Sequence, residues 1–441
     1  MASIDTIFAL ASAPGRAGVA VMRISGPDAA RAFALCEPGQ VPKPRKAVLR
    51  DLRDENRQPI DRALVLWFEA PHSFTGENTV EFHLHGGRAI INAVTRLLRE
   101  HLRFRLAEPG EFTRRAFENG KLDLTEAEAV ADLVDAETEA QRRQAMRQFD
   151  GELGRIYEDW RARLTRILAY LEASIDFSEE DLPKDIEDKE TSAIRLLANE
   201  INTHLNDHRR GERLREGFEI AILGPPNAGK SSLLNTLAQR EAAIVSSIAG
   251  TTRDIVEAHL DLGGYPVSLA DTAGLRETAD VIESEGVKRA LARAEKADLK
   301  MLVFDGEKWP ALDEATKKLV DKNALIVINK ADVVGNPQKT NDGQIFISAR
   351  TGKGIPELLD RLIERIGADF SNHIAPPLTR ARHRAALEEC TSHLQRALNA
   401  PAGELRAEDI RLSVRALGRI TGRVDVEDLL DVIFRDFCIG K

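Results

Sequence analysis

The stretch Gly224-Pro-Pro-Asn-Ala-Gly229-Lys230-Ser231 is the part of this chain whose residue types and spacing most directly imply chemistry. It fits the pattern GxxxxGK[ST] and stands where that pattern requires, between a strand-like run, FEIAILG, and a helical one, SSLLNTLA. Glycines at its ends let backbone N–H groups turn inward on phosphates, with Asn227, Ala228 and Ser232 contributing to the same cradle. Lys230 brings a positive charge to the β and γ oxygens, and the Ser231 hydroxyl is placed to meet Mg2+. Downstream, Asp271-Thr272-Ala273-Gly274 closes the run YPVSLAD, offering a carboxylate to Mg2+ through water and a glycine N–H to the γ-phosphate. Asn329-Lys330-Ala331-Asp332 closes the run ALIVINK. The Asp332 carboxylate can accept two N–H bonds from the edge of guanine, which adenine does not offer. Ser348-Ala349, after QIFIS, would complete the base pocket, so the expected ligands are GTP and GDP with Mg2+.

The elements that must hold these residues follow from the hydrophobic pattern. Residues 1–118 alternate short apolar runs (TIFALAS, GVAVMRISG, ALVLWF, NTVEFHLHGG) with Gly/Pro turns, which predicts a strand-rich α+β domain. Residues 119–215 change to a helical period, with Leu153, Ile156, Tyr157, Trp160, Leu164, Ile167, Leu168 and Leu171 recurring at three and four. From 216 to 372 strand-like runs alternate with helical segments, which predicts a mainly parallel sheet covered by helices on both faces. Helical period returns over 373–441 through Leu387, Cys390, Leu394 and Leu398, then Leu412, Leu417, Ile420 and the run to Phe437. The fold class expected is a multidomain α/β protein, with a doubly wound P-loop domain inserted into a discontinuous helical bundle.

Composition narrows the setting. A chain of 441 residues with 43% hydrophobic residues and a net charge of −9 is an ordinary soluble globular protein, neither disordered nor collagen-like. Cys36, Cys390 and Cys438 are too few and too widely spaced for a disulfide framework or a CxxC zinc site, so a reducing cytosol is the natural setting. His83 and His85 have no third ligand at suitable spacing for a metal. No signal peptide, transit segment or apolar run of membrane length is found, which favours a bacterial cytoplasm and no membrane partner. An acidic chain argues against bulk coating of nucleic acid, and the best candidates for a local basic patch are Arg105 to Arg115 and Arg406 to Arg423, although a solvated helix face is the default reading of either.

The nucleotide motifs resemble those of the small GTPases at large. Gly250-Thr251-Thr252-Arg253-Asp254, preceded by AAIVSSIA, looks like switch I of the translation-factor-related GTPases that act on RNA, with Thr252 as a Mg2+ ligand. Ras-like proteins carry a water-positioning Gln directly after DxxG, where this chain has Leu275. An apolar side chain cannot orient water, which leaves Glu277, Asp280, Glu283 and Glu285 as candidates. The terminal Cys438-Ile439-Gly440-Lys441 after LLDVIFRDF, joined to GTTRD, DTAGLRE and the N-terminal pattern, closely resembles the MnmE (TrmE) family of tRNA modification GTPases over essentially the whole chain.

The resemblance implies an N-terminal domain similar to folate-dependent one-carbon enzymes, a discontinuous helical domain and an inserted Ras-like G domain. It implies a homodimer built through the N-terminal domains, working on tRNA with the FAD- and NADH-using partner MnmG in a heterotetramer-type complex. Together they would place an aminomethyl or carboxymethylaminomethyl group at C5 of the wobble uridine U34, using 5,10-methylene-tetrahydrofolate. Arg23 in MRISG, Glu81 in VEFHLHGG, Lys121 in NGKLDL and Lys441 match the family's contacts to 5-formyl-tetrahydrofolate. A carboxylate suits the pterin edge, and cations suit the glutamate tail. Asn227 matches a K+ ligand, with Ser246, Ile248 and Thr251 in the loop Ser246-Ser247-Ile248-Ala249-Gly250-Thr251 completing that site. K+ there could replace an arginine finger. Glu283 matches the catalytic residue that orients water. Cys438 admits two readings, a thiolate attacking C6 of uracil or a small buried hydrophobe. The alternative readings are a regulatory GTPase of RNA-particle assembly and a folate-binding scaffold with a vestigial GTPase, the latter opposed by intact nucleotide motifs.

Overall fold

The computed structural model describes residues 5–176, 186–240, 257–271, 295, 297–311, 313–334, 343–370, 376–401, 403–424, 427–435 and 437–441. They form two compact units: one of residues 1–131, 147–199 and 386–441, the other of residues 132–146 and 200–385.

The first unit is built on a seven-stranded sheet of β1 (Ile7–Leu10), β2 (Ala20–Ser25), β3 (Cys36–Glu37), β4 (Val48–Arg53), β5 (Pro59–Phe68), β6 (Thr79–Leu84) and β7 (Arg105–Leu106), in the order β3-β4-β5-β6-β2-β1-β7. All pairings are antiparallel except β1 with β7. Along β2 and β5 burial alternates, because one face of an antiparallel sheet meets the core and the other faces outward. Phe8, Phe33, Trp67 and Phe82 fill that core, with Phe33 edge-on to both Trp67 and Phe82. The four N-terminal runs read from sequence are β1, β2, β5 and β6. The sequence reading missed β4, VLRDLR, because its charged residues hide the alternation.

The helices Glu152–Asp176 and Gly403–Thr421, far apart in sequence, pack on each other in the same unit. Leu153, Tyr157, Trp160, Leu164, Ile167 and Leu171 are buried, as the three-and-four spacing predicts. Thr421 donates to Glu158 Oε1 at 2.7 Å, and Arg411 pairs with Glu172 at 2.7 Å across the two helices. Helix Glu427–Arg435 puts Leu430 and Phe434 against Leu124 and Ala127 of helix Leu124–Asp135.

The second unit holds a six-stranded sheet of β8 (Phe218–Leu223), β9 (Glu257–Leu262), β10 (Tyr265–Asp271), β11 (Leu299–Asp305), β12 (Ala324–Asn329) and β13 (Ile345–Phe346), in the order β13-β12-β11-β8-β10-β9. Every pairing is parallel except β9 with β10. β8 and β11 are buried almost throughout, as strands covered on both faces must be. β8, first in sequence, lies between β10 and β11, so its carboxyl end is the switch point where open α/β sheets bind ligands. No helix among the described residues is long and apolar enough to cross a membrane.

Candidate functional site

The phosphate loop leaves β8 at that switch point. Gly224 has φ +152°, and a Cβ there would stand 2.1 Å from the Val303 carbonyl oxygen of β11, so only glycine lets the loop pass. Asn227 sits in the left-handed region at φ +63°, which asparagine tolerates. Gly229 follows at φ +87°, and a Cβ on it would meet Asn329 Nδ2 at 2.2 Å. Helix Lys230–Arg240 then begins, placing Ser231 and Ser232 in its first turn, where free N–H groups and the positive end of the dipole favour an anion. Lys230, 7% exposed, donates to the carbonyls of Gly224 at 2.8 Å and Pro225 at 2.9 Å. The loop is thus folded around the ammonium that must meet the phosphates, and these cradles have the form a phosphate group fits.

The base pocket is tied to the same loop. Buried Asn329 donates from Nδ2 to the Ala228 carbonyl at 2.9 Å, while its Oδ1 accepts from the Ala349 N–H at 3.0 Å. Lys330, at φ +62°, extends its ammonium to Asp305 Oδ2 at 2.7 Å. That bond holds the Lys330 pKa above its ordinary value. The Ser348 hydroxyl bond holds the Asp332 carboxyl below its ordinary value, against some burial, with the Arg350 guanidinium adding to it. Ser348 is fully buried, and the loop after it is locked by Ser348 N–H to the Lys353 carbonyl and Gly352 N–H to the Ser348 carbonyl, both at 2.8 Å. An ionised acceptor at Asp332 is what recognition of guanine N–H groups demands. The structure therefore brings Asn227, Ala228, Gly229, Lys230, Ser231, Ser232, Asn329, Lys330, Asp332, Ser348 and Ala349 to one end of the sheet. β10 ends at Asp271 beside β8. Ser246, Ser247, Ile248, Ala249, Gly250, Thr251, Thr252, Thr272, Ala273, Gly274 and Glu283 lie outside the described residues, as do Leu275, Glu277, Asp280 and Glu285.

The first unit carries a second cluster. Arg23 of β2 and Glu81 of β6 are directly opposed in the antiparallel register and joined at 2.9 Å, both largely buried. The Arg23 guanidinium lies 5.7 Å from the ring centres of both Phe74 and Phe112. Phe112 opens helix Glu111–Glu118, and its N–H donates to the Lys441 backbone oxygen at 3.2 Å. Gly110 N–H meets the Cys438 carbonyl at 3.4 Å, and Pro109 bridges to Ile439. The segment Cys438–Lys441 is thereby docked on the end of the sheet that carries Arg23. Lys121 donates to the Pro71 carbonyl at 3.1 Å, and its stem packs against Gly76, two residues from Phe74. An anion-binding cation, a carboxylate and two aromatic rings fit a heteroaromatic acid such as a reduced folate.

Sequence reasoning missed the group beneath this cluster. Arg115, 2% exposed, donates to the Asp5 carbonyl at 3.0 Å, to Asp5 Oδ1 at 2.7 Å and to Glu77 Oε2 at 3.0 Å. Ser25 donates to Glu77 Oε2 at 2.8 Å. In the two stretches that were candidates for a basic patch or a solvated helix face, the following arginines are paired with carboxylates. Arg105 pairs with Asp5 and Glu111, Arg114 with Glu118 and Asp431, and Arg115 is buried in its network. Arg411, Arg419 and Arg423 pair with Glu172, Glu389 and Glu158 respectively.

Cys438 is exposed, which removes its reading as a buried hydrophobe. Cys36 and Cys390 are buried and their thiols are pushed up to about 12 by that burial, as inert structural cysteines require. His83 faces Glu81 at 3.5 Å and His85 meets Asp61 at 2.7 Å; no metal-ligand cluster is found among the described residues.

A glycine-rich loop after the first strand of a doubly wound sheet, locked to an NKxD loop and a Ser-Ala loop, defines a P-loop GTPase. Comparison with known proteins narrows the class. Residues 124–438 match the MnmE helical domain, and residues 6–121 match the N-terminus of the GTP-binding protein TrmE. The tRNA modification GTPase MnmE of Paramagnetospirillum magneticum is 55% identical over 440 residues, 99% of this chain and 100% of that protein. The tRNA modification GTPase MnmE of Parvibaculum lavamentivorans is 57% identical over 444 residues, 99% of this chain and 100% of that protein. The chain belongs to the MnmE family of tRNA modification GTPases.

Proposed function

We propose that this GTPase is activated by K+, works as a homodimer with an MnmG partner, and installs an aminomethyl or carboxymethylaminomethyl group at C5 of the wobble uridine of certain tRNAs. The carbon comes from a tetrahydrofolate. Residues 1–118 form the folate and dimer domain, 119–215 and 373–441 the helical domain, and 216–372 the G domain. The observation that carries this reading is the docking of Cys438–Lys441 against helix Glu111–Glu118, whose Phe112 also walls the Arg23–Glu81 pair. A one-carbon site needs a carboxylate and a cation for its cofactor and an accessible reactive group beside them, and this end of the sheet supplies all three, with Cys438 exposed.

At the nucleotide, Ser231 and Thr252 would hold Mg2+, and Asn227 with Ser246, Ile248 and Thr251 would hold K+. These ions supply charge stabilisation as negative charge grows between the β and γ phosphates. Asn227 is held by its left-handed backbone at the turn before the phosphate cradle. Glu283 orients the attacking water, since Leu275 cannot. GTP-driven motion then times the chemistry on tRNA in the cytoplasm.

The test is GTP turnover by the purified chain in KCl against NaCl at matched ionic strength, for the wild type, Asn227→Ala and Glu283→Ala. Fast turnover in K+ alone, lost in both variants, is the expected result; equal slow rates in both salts overturn the K+ assignment. Mass spectrometry of unmodified tRNA incubated with MnmG, FAD, NADH, GTP, methylene-tetrahydrofolate and either ammonium or glycine as nitrogen donor tests the one-carbon step. Absence of a modified wobble uridine refutes it.

A further inference from the structure

Helix Arg88–Arg96 and the π turn Leu97–His101 that continues it lie on the sheet of the first unit. Val94, Leu97 and Leu98 are buried, and Arg88, Asn92, Arg96 and Arg99 are exposed. Spacings of four, four and three put those exposed residues on one face, opposite the buried one. Arg103 follows, exposed and in the left-handed region at φ +60°. Gly86, just before the helix, packs on Ala17, whose N-terminal neighbour is Arg16, also exposed.

None of Arg16, Arg88, Arg96, Arg99 and Arg103 has an ion pair or side-chain hydrogen bond among the described residues. The arginines of 105–115, by contrast, are matched to carboxylates. Glu100 is the acidic residue within this helix, and it is exposed at the margin of the arginine face. The neighbouring Asp61 is engaged by His85 and Asp28 by Arg31. In a chain of net charge −9 a one-sided row of unmatched guanidinium groups is a local excess that the overall composition conceals.

We infer that this face, Arg16, Arg88, Arg96, Arg99 and Arg103, is a docking surface for the sugar–phosphate backbone of the tRNA substrate. Guanidinium groups at helical spacing match a row of phosphates, and the lack of aromatic or amide groups beyond Asn92 suits backbone positioning, not base reading. The inference rests on the reading of tRNA as substrate and deepens it by placing the contact. Two copies meeting through this face would oppose like charges, which disfavours a self-contact.

The experiment uses the full chain with unmodified tRNA in filter binding from 50 to 300 mM salt. It compares the wild type with Arg96→Glu/Arg99→Glu and Arg96→Lys/Arg99→Lys, with GTP turnover and light scattering as controls. Expected is at least tenfold weaker tRNA binding by the glutamate variant and a salt slope shallower by about one to two, since each phosphate contact contributes roughly 0.7 to 0.9 to that slope. The lysine variant keeps most of the affinity, and GTP turnover and mass are unchanged in both. Wild-type affinity in a folded glutamate variant overturns the inference while leaving the tRNA reading intact. Failure of the wild type to bind tRNA overturns both. Loss of the dimer in the glutamate variant, or loss of affinity in the lysine variant equal to that in the glutamate one, reassigns the face to protein contact and also overturns it.

Discussion

Asn329 shows how one side chain makes two motifs a single site. It bridges the phosphate loop at Ala228 and the Ser348-Ala349 loop, the first bond buried and the second partly buried. Asn329→Ala leaves a carbonyl and an N–H unsatisfied, at a cost of about 1–3 kcal/mol each. GDP affinity is expected to fall at least tenfold by fluorescent-nucleotide titration, with a lower melting temperature; unchanged affinity would show the loops to be independently ordered. Asp332 gives a pH prediction. Its carboxyl is held down first by the Ser348 hydroxyl, so the ionised form persists above the lowered value and is lost only as pH falls through it. GDP binding should therefore stay flat as pH drops to about 5, and Ser348→Ala should move the acid loss to higher pH in the same titration. An identical acid midpoint in the variant would refute this. At this scale the motif residues were legible because phosphate and guanine chemistry dictate residue type. The Arg115–Asp5–Glu77 network was not, since its members are spread over more than a hundred positions and only the fold joins them.

Among elements, helix Glu111–Glu118 depends on a segment over three hundred residues away. Its N-cap Gly110 and first-turn Phe112 donate N–H bonds to the Cys438 and Lys441 backbone oxygens, and that docking needs Gly440, at φ +96° with a would-be Cβ 2.3 Å from the Leu10 carbonyl oxygen. Gly440→Ala combines a left-handed strain of about 1–3 kcal/mol with that clash, so the segment should release. Faster hydrogen exchange at the Gly110 and Phe112 amides, with a lower melting point, is the expected readout; native protection at both amides would sink the idea. Elements of strong single period were legible: β8, whose apolar run is broken only by Glu219, and Glu152–Asp176, whose core positions keep three-and-four spacing. β4 and β7 were not, because edge-proximal strands rich in arginine and aspartate carry little hydrophobic signal. The charged stretches admitted two readings for a related reason. Sequence counts arginines, but only the fold shows that those of 105–115 face carboxylates and those of helix Arg88–Arg96 do not.

Taken whole, the molecule has two compact units with separate cores, one around Phe8, Phe33, Trp67 and Phe82, the other around β8, β10, β11 and β12. A change of sequence period reports where strands give way to helices. A compact unit is defined by what packs together, so its limits, between 131 and 132, 146 and 147, 199 and 200, and 385 and 386, fall inside helices and leave no mark in the sequence. Separate cores predict that unfolding is not two-state. Each unit carries one candidate small-ligand site, so linkage to those ligands should act on the units separately: a ligand at one hundred times its Kd stabilises the state it binds by about 2.7 kcal/mol. In scanning calorimetry of the full chain, two transitions are expected. GDP with Mg2+ should raise one of them and 5-formyl-tetrahydrofolate the other. Arg23→Ala should abolish only the folate shift, and Asn329→Ala should weaken only the GDP shift. A single transition raised by either ligand would instead mean that the two cores unfold as one and that binding at each site is felt throughout the chain.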